Sequence, residues 1–323
     1  MSLTRPLIAL TLAVLAGTPA VCAAADWPTR PITLVVPFPA GGGNDNVARL
    51  IGPGLGQALG QAVVVENRPG AGGTLGAALV AKAPADGHTL LICSTGNMAV
   101  APAVYSKLGY TSGDFAPVAH IASTRNIWIA APQLAASSLK EFIALAKREP
   151  GKHSYASSGN GTTPHLAGAA LSTDNRLDLL HVPYKGTTPA YTDLASGRVS
   201  VMMDSIISAL PMVQSGRVKG LGVGTAQRLP QLPEVPTLAE QGLGERAHSG
   251  WVGLCAPRGT PAEVVARIGS GVQATLAQPS VREALTRQMA EPVGEGSQQF
   301  AQTIATDSAV WSQIVRAAGA RLD

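Results

Sequence analysis

The chain has 323 residues, of which 46% are hydrophobic and 14% charged, and a formal net charge of +4. This composition excludes a disordered, solvated chain, and the length is sufficient for two domains with buried cores. The positive charge is small and dispersed along the sequence, so no nucleic-acid partner is expected.

The first 25 residues have the pattern of a secretory signal peptide. Arg5 precedes an apolar stretch from Leu7 to Leu15, and small residues lead to Ala23 to Ala25. A positive segment, a short apolar segment and a small-residue cleavage site are the three parts of such a signal. The apolar stretch is too short to span a bilayer. We therefore expect cleavage near Ala25 and a soluble protein exported to the periplasm.

The segment from Val35 to Asp45 is the first candidate site. The apolar run Ile32 to Val36 is typical of a buried strand, and the loop that follows it contains Gly41, Gly42 and Gly43. A helical pattern begins at Val47, with Asn44 or Asp45 as the expected N-cap. A strand, a glycine loop and a helix N-terminus together favour an anion, because backbone N–H groups and the positive dipole end point the same way. A tight turn without a ligand would give the same pattern.

Strands and helices alternate along the rest of the chain, which predicts a parallel α/β sheet. A short polar loop is expected at 94–97, where a strand ends. The expected strands are at 62–65, 89–93, 115–121, 127–131, 154–156, 181–182, 199–203, 219–223 and 251–256. The expected helices are at 75–83, 139–147 and 206–214, two that begin near Pro164 and Pro189, and three between 262 and 320.

The second half of the chain repeats the arrangement of strand, polar loop and helix. One such loop runs from Ser157 to Thr163, another from Pro183 to Thr188, and Asp204 ends a third strand. Ligands of open α/β sheets lie at the carboxyl ends of the strands. Two such units that face each other would hold one ligand between them. Asp204 either caps the following helix or accepts a hydrogen bond from a ligand.

Two cysteines, Cys93 and Cys255, remain after the signal segment. Export permits a disulfide, but each cysteine ends an apolar run, which favours two small buried hydrophobic side chains and leaves the bond open. The sequence has no C-x-x-C or H-x-x-x-H spacing, so neither a metal nor a cofactor is expected.

Two enzyme classes have weaker support. A nicotinamide enzyme needs G-x-G-x-x-G, and Asn46 occupies the place of the third glycine. A hydrolase of the nucleophile-elbow type needs G-x-S-x-G, which the sequence lacks. The spacing of Ser157, Ser158, His165 and Asp204 does not require a catalytic triad. We therefore expect no enzymatic activity.

Six motifs occur in a fixed order along the chain: VVPFPAGGG at 35–43, VENRPGAGG at 65–73, YASSGNGT at 155–162, HVPYKG at 181–186, VPT at 235–237 and APRGTP at 256–261. Together they resemble the Bug-type (Bordetella uptake gene) substrate-binding proteins of the tripartite tricarboxylate transporter system. The resemblance extends over essentially the whole chain after the signal segment.

The resemblance implies an α/β fold of two domains, the periplasmic binding protein type II or "Venus flytrap" fold, with a ligand cleft between them. Domain 1 would comprise 27–130 plus 249–323, and domain 2 would comprise 131–248. The implied function is capture of a small carboxylate and its delivery to the membrane components of a tripartite tricarboxylate transporter, by a monomer. The alternatives are a ligand sensor for a signalling partner and a nicotinamide-dependent oxidoreductase.

Members of this family hold the carboxylate mainly through backbone amides and ordered water. Asn44 stands where the family often has threonine, so the shape of the nearby pocket is expected to differ. The implied ligand-binding residues are Phe38, Ala40, Gly41, Gly42, Asn44, Ser94 and Asn97 in domain 1, and Ser158, Gly161, Thr162, Tyr184 and Asp204 in domain 2.

Overall fold

The computed structural model describes residues 27–243 and 250–318, which form two β-sheets with helices packed on both faces. The predicted signal peptide, residues 1–25, lies outside this part of the chain. None of the helices in the described ranges combines the length and the apolar character that crossing a membrane requires.

The strands are β1 (Ile32–Val36), β2 (Val63–Asn67), β3 (Thr89–Ser94), β4 (Phe115–Thr124), β5 (Asn126–Ala130), β6 (His153–Ser157), β7 (Leu179–Pro183), β8 (Val201–Ser205), β9 (Lys219–Val223), β10 (Gly250–Pro257) and β11 (Ala290–Gly296). The α-helices are α1 (Gly43–Leu59), α2 (Thr74–Ala81), α3 (Ala101–Val104), α4 (Leu139–Arg148), α5 (Thr163–Asn175), α6 (Thr187–Ser196), α7 (Ile206–Gln214), α8 (Ala262–Ala277), α9 (Pro279–Arg287) and α10 (Ser297–Ala318).

Each sheet is mixed, with a parallel part and an antiparallel part. The six-stranded sheet has the order β11-β4-β10-β3-β1-β2, and the five-stranded sheet has the order β7-β6-β8-β5-β9. The pairs of β1 with β2 and β3, and of β6 with β7 and β8, are parallel as predicted. The prediction is wrong for β4, β5 and β10, because these strands join or follow a crossing between the sheets and run antiparallel to their neighbours.

We call the six-stranded sheet with its helices the first lobe, and the five-stranded sheet with its helices the second lobe. The chain crosses between them at Arg125, since β4 pairs in one sheet and β5 in the other. We therefore propose a domain boundary at Arg125 in place of the expected change after residue 130. The return crossing, expected at 248/249, falls in residues 244–249, outside the described ranges.

Local sequence explains how individual helices begin and end. The Ser138 side chain accepts the Glu141 N–H at 3.1 Å and caps α4, as serine commonly does. At α1 the expected N-cap is wrong: Gly42, in an extended conformation, precedes the helix. The Asp45 carboxylate instead accepts the Gly41 N–H and binds Arg49, both at 2.9 Å.

Three further elements differ from the sequence predictions. Residues 94–97 are not a loop, because Gly96–Val100 forms a π-helical turn that continues into α3. The strand β11 was not predicted, since its sequence, AEPVGEG, lacks an apolar run. The strand at Val63–Asn67 is less buried than expected because it lies at the edge of its sheet, where Val64 is 52% exposed.

Cys93 and Cys255 form a disulfide, with a Cα–Cα distance of 5.9 Å. The sequence indicated two small buried side chains and left the bond open. The reason is tertiary: β3 and β10 are antiparallel neighbours, and their register pairs Leu254 with Ile92, so the two cysteines meet diagonally. Both cysteines are fully buried.

Candidate functional site

A cavity of about 130 Å³ lies between the two lobes, at the carboxyl ends of β1, β3, β6 and β8. Its walls include loops that follow these strands, and β10 contributes Trp251 and Val252 from the antiparallel part of the first sheet. Residues of both lobes therefore line one site.

Four α-helices begin at this cavity. Each helix N-terminus contributes two or more of the residues that line the cavity. The positions are Gly42, Gly43 and Asn44 at α1, Thr162, Thr163 and Pro164 at α5, Gly186 and Thr187 at α6, and Ser205, Ile207 and Ser208 at α7. The first N–H groups of an α-helix have no partner within the helix, and the helix dipole makes this end positive. Four such ends around one cavity create a local preference for negative charge.

The N–H groups of three of these helices are left uncapped by their own N-cap side chains. At α1, α5 and α6 the N-cap residue makes no side-chain hydrogen bond to the first turn, whereas Ser205 at α7 accepts the Ile207 N–H at 3.3 Å. One α1 amide, Gly43 N–H, donates to Ser208 Oγ at 3.1 Å across the two lobes. Helix N-termini of both lobes therefore line the cavity.

Asp204 is the charged side chain of this cavity; among the described residues that line it, none is lysine, arginine or histidine. Asp204 is 6% exposed, and its carboxyl group accepts a hydrogen bond from the Tyr191 hydroxyl at 3.0 Å. Burial raises the pKa of Asp204 to about 6, although the Ser205 backbone N–H and the Tyr191 hydroxyl both favour the charged form. The described lining therefore offers helix N-termini and no cationic side chain to an anion.

Close contacts join the lobes beside the cavity. Tyr105, in the first lobe, donates its hydroxyl to the Asn160 carbonyl at 2.7 Å. Gly186, with φ +110°, lies so close to Pro39 that a Cβ would come within 2.5 Å of the proline ring. The structure is therefore a closed arrangement, in which the loop after β1 touches the loop after β7.

A stack of aromatic rings supports the loop between β6 and α5. The His165 and His181 rings stack with centroids 4.2 Å apart, and Tyr155 stacks on His181 at 4.8 Å. His165 Nδ1 accepts the Gly161 N–H at 3.2 Å, and His181 Nε2 lies 2.7 Å from Ser157 Oγ. Burial lowers the pKa of both histidines, that of His181 to about 4, and the charge of His165 contributes to the second shift.

The side chains considered for a hydrolase triad make other contacts. Ser157 bonds to His181 and not to His165, while Asp204 bonds to Tyr191. Among the described residues, no three His, Cys, Asp or Glu side chains are grouped so that they could hold a metal ion.

The structure brings many of the predicted site residues together at the cavity. Those that line it are Phe38, Gly42, Asn44, Ser94, Ser158, Thr162 and Asp204. Residues from separate loops of both lobes thus surround one space. Their contact with a ligand remains a prediction.

Three predicted residues of the first lobe lie outside the cavity lining. Ala40 is exposed. Gly41 lines a neighbouring groove, and its N–H is taken by Asp45. Asn97 is fully buried and holds the π-helical turn: its Oδ1 accepts the Ser94 N–H at 2.8 Å, and its carbonyl accepts the Tyr110 hydroxyl. Asn97 therefore shapes the π-helical turn beside the cavity, and Gly41 belongs to the loop after β1 that lines it.

Two predicted residues of the second lobe also lie outside the lining. Gly161, with φ +70°, packs against Tyr105, where a Cβ would approach the ring to 2.5 Å. Tyr184 points to α6 and donates its hydroxyl to Asp193 at 2.7 Å. Burial, with Asp193 adding to the effect, raises the pKa of Tyr184 to about 12.

Several lining residues were not predicted as ligand contacts, among them Thr163, Thr187, Ser208 and Trp251. A sequence repeat could have indicated Thr163 and Thr187 as site residues, because the tetrapeptide Gly-Thr-Thr-Pro occurs at 161–164 and again at 186–189. Each copy begins a helix at the cavity, α5 and α6 respectively. Ser208 and Trp251 have no such signal, since only the packing of the lobes brings them to the site.

Comparisons with known proteins agree with this arrangement. The family described as "Tripartite tricarboxylate transporter family receptor" (TctC) matches residues 47–320. The "UPF0065 protein in tcbD-tcbE intergenic region" of Pseudomonas sp. (strain P51) is 42% identical over 291 residues, covering 90% of this chain and 86% of the relative. Protein BugT of Bordetella pertussis is 34% identical over 325 residues and is matched over the full length of both chains.

Solved structures show the same fold. The R. palustris protein Rpa4515, determined with adipate, has a TM-score of 0.87 and 38% identity, covering 91% of this chain and 99% of that chain. MatC (Rpa3494) from Rhodopseudomonas palustris, determined with bound malate, has a TM-score of 0.85 and 36% identity, covering 90% and 100%. The periplasmic binding protein BugD has a TM-score of 0.86 and 34% identity, covering 91% and 99%.

The predicted two-domain α/β binding-protein fold is confirmed by these structures. Members of this family are periplasmic solute-binding proteins and not enzymes. Since the family description covers most of the chain, and full-length relatives exceed 30% identity, this chain belongs to the receptors of the tripartite tricarboxylate transporter family, the TctC family.

Proposed function

We propose that this chain captures a small carboxylate between its lobes in the periplasm and delivers it to the membrane components of a tripartite tricarboxylate transporter. The observation that carries the proposal is the meeting of four helix N-termini at a cavity whose described lining includes no cationic side chain. Backbone N–H groups bind carboxylates well in this setting, because the acceptor is charged and the donors are fixed in place. The adipate and malate present in two related structures support the ligand class.

Closure of the lobes is the second part of the proposal. The bonds from Gly43 to Ser208 and from Tyr105 to Asn160 hold the lobes together beside the cavity. A ligand that contacts both lobes binds the closed form better and shifts the population toward it. The closed form then presents one continuous surface to a membrane partner.

Thermal unfolding of ligand-stripped protein tests the ligand class. A carboxylate at about 100 times its Kd stabilises the folded state by about 2.7 kcal/mol, which raises Tm by roughly 4 °C for a chain of this size. The panel comprises dicarboxylates and hydroxy acids, each beside its neutral amide. We expect at least one acid to raise Tm and its amide not to do so; equal shifts for an acid and its amide would contradict the proposal.

Thr187 allows a direct test of backbone recognition. It is the first residue of α6 and lines the cavity, and proline is well tolerated at this helical position. Thr187→Pro removes one N–H donor, whereas Thr187→Val keeps that donor and removes only the hydroxyl. Loss of a hydrogen bond to a charged acceptor costs about 1.5–3 kcal/mol, or roughly 10- to 100-fold in Kd. We expect this loss for the proline variant only, and equal losses in both variants would argue against backbone recognition.

A further inference from the structure

Asp204 is a carboxyl group inside a cavity that is built for carboxylates. It lines the same space as the helix N-termini of α1, α5 and α6, and it is almost completely buried. A carboxylate in such a place repels a second carboxylate, because burial weakens the screening by water. Its position therefore restricts which end of a ligand can lie against it.

The elements packed around Asp204 supply hydrogen-bond donors and no compensating cation. From α6, the Tyr191 hydroxyl donates to Asp204 Oδ2 at 3.0 Å, and the pKa of Tyr191 is raised well above its ordinary value by burial and by Asp204. From β5, Ile127 pairs with Asp204, and α7 contains no charged residue. Helix α5 also packs against β8 and carries His165 and Asp174, and neither of them contributes to the pKa shift of Asp204. Among the described residues, Tyr191 is thus the titratable side chain that is hydrogen-bonded to Asp204.

We propose that Asp204 selects ligands that bring a hydrogen-bond donor to it, namely a hydroxyl, an ammonium or a carboxyl group that has kept its proton. A dicarboxylate is accordingly bound together with one proton. This inference rests on the proposed function and adds a restriction on the group at one end of the ligand. The buried position of Asp204 in the cavity, and the lack of a described lining cation, carry it.

The proton balance follows from the two carboxyl groups. Above neutral pH, free Asp204 is ionised and the dicarboxylate carries two charges, so one proton enters from solvent on binding. That proton lies between the Asp204 carboxyl and the near carboxyl of the ligand, since two carboxylates in one site share a single proton. The one bond that changes is the O–H bond of this proton, which breaks in a buffer acid and forms on a carboxylate oxygen in the cavity. A hydroxy acid satisfies Asp204 with its own O–H and takes up no proton.

Isothermal titration calorimetry can measure this proton directly. The probes are adipate, 6-hydroxyhexanoate and hexanoate, with the succinate, 4-hydroxybutanoate and butanoate set as a shorter series. Titrations in phosphate and in Tris, buffers that differ in ionisation enthalpy, give the number of protons taken up. For the dicarboxylate we expect about one proton and an affinity that falls about tenfold per pH unit above the Asp204 pKa. For the hydroxy acid we expect no uptake, and for the unsubstituted acid a weaker affinity.

Two variants assign the proton to Asp204. Asp204→Asn should abolish proton uptake and flatten the pH dependence of dicarboxylate affinity. Tyr191→Phe removes a donor that favours the charged form, so the pH above which affinity declines should move upward. Asp86→Asn, at a surface ion pair with Arg30, is the control and should leave proton uptake at the wild-type value. Circular dichroism and Tm establish that each variant is folded.

The failures can be told apart. If dicarboxylates bind without proton uptake, or if Asp204→Asn retains the uptake, the inference about Asp204 is wrong and the proposed function stands. If no carboxylate of either series binds at any pH, both are overturned.

Discussion

The Tyr105 hydroxyl donates to the Asn160 carbonyl at 2.7 Å, and this bond joins the first lobe to the loop that carries Ser158 and Thr162. The next residue, Gly161, packs directly against the Tyr105 ring, so that a Cβ at this position would clash with it. Asn160 offers a backbone atom, so the bond depends on the path of the loop and not on a side chain. The Tyr105 hydroxyl therefore links the two lobes in the closed arrangement.

Tyr105→Phe should weaken ligand binding about 2- to 10-fold, because one neutral hydrogen bond contributes about 0.5–1.5 kcal/mol. Ligand-free Tm should change little, since the bond joins the two lobes rather than elements within one lobe. Tyr184→Phe is the matched control: its hydroxyl points to Asp193, so the affinity should stay within about twofold of wild type. Calorimetry with the acid identified by thermal unfolding measures both values. A larger loss of affinity in Tyr184→Phe than in Tyr105→Phe would indicate that Tyr184 contacts the ligand.

Gly42→Val should lower affinity at least about tenfold, because the added methyl groups occupy a cavity that is already small. Gly42 has an extended conformation, φ −80°, so a side chain brings no backbone strain. A Cβ there would lie 3.6 Å from the Pro39 carbonyl and 3.8 Å from Thr187 Oγ1, so alanine should be tolerated better than valine. Lys185→Ala, at an exposed position, should leave the affinity unchanged. Comparable losses from Gly42→Val and Lys185→Ala would indicate recognition by charge instead.

The Cys93–Cys255 disulfide should contribute about 2–5 kcal/mol to the free energy of unfolding, because it closes a loop between positions 162 residues apart in the unfolded chain. The double variant Cys93→Ala, Cys255→Ala should therefore unfold about 5–15 °C lower than the oxidised protein. A reductant that can enter the partly unfolded protein should lower the Tm of wild type toward that of the double variant. It should leave the Tm of the double variant itself unchanged, and a reductant effect on that variant would point to another cause.

The His165–His181 stack should make the protein less stable as the pH falls. Burial lowers the pKa of both rings in the folded state, whereas an unfolded histidine titrates near its ordinary value of about 6.5. Between about pH 6.5 and the folded pKa, the unfolded state binds more protons, so stability present at neutral pH is lost on acidification. After allowance for partial exposure of His181, the loss by about pH 5 should be on the order of 1–2 kcal/mol.

Urea unfolding of wild type and His181→Gln at a series of pH values measures this loss. The variant retains a side-chain amide that can bond to Ser157 but cannot take up a proton in this range. It should therefore lose less stability than wild type on acidification, even if it starts from a lower value at neutral pH. Identical pH slopes for the two proteins would assign the acid lability to other groups.

Local sequence determined many of the secondary-structure elements of this protein. The bounds of β1, α7 and β9 coincide with the predicted segments, because an apolar run bounded by proline, glycine or a capping residue defines an element within its own span. The same local signals indicated where strands end in glycine, serine or threonine, and those loops of both lobes meet at the cavity. The family motifs lie in these loops, so the fold class and the site region follow from the sequence.

Tertiary structure alone decided which distant segments meet and where side chains point. Asn126–Ala130 reads as a strand from its residues, yet only pairing with β8 and β9 places it in the second lobe. Tyr184 and Asp204 were predicted to act together, but Tyr184 turns to Asp193 while Asp204 remains in the cavity. Cys93 meets Cys255 because two strands lie side by side. Such outcomes depend on packing between segments far apart in the chain, and local propensity carries no information about that packing.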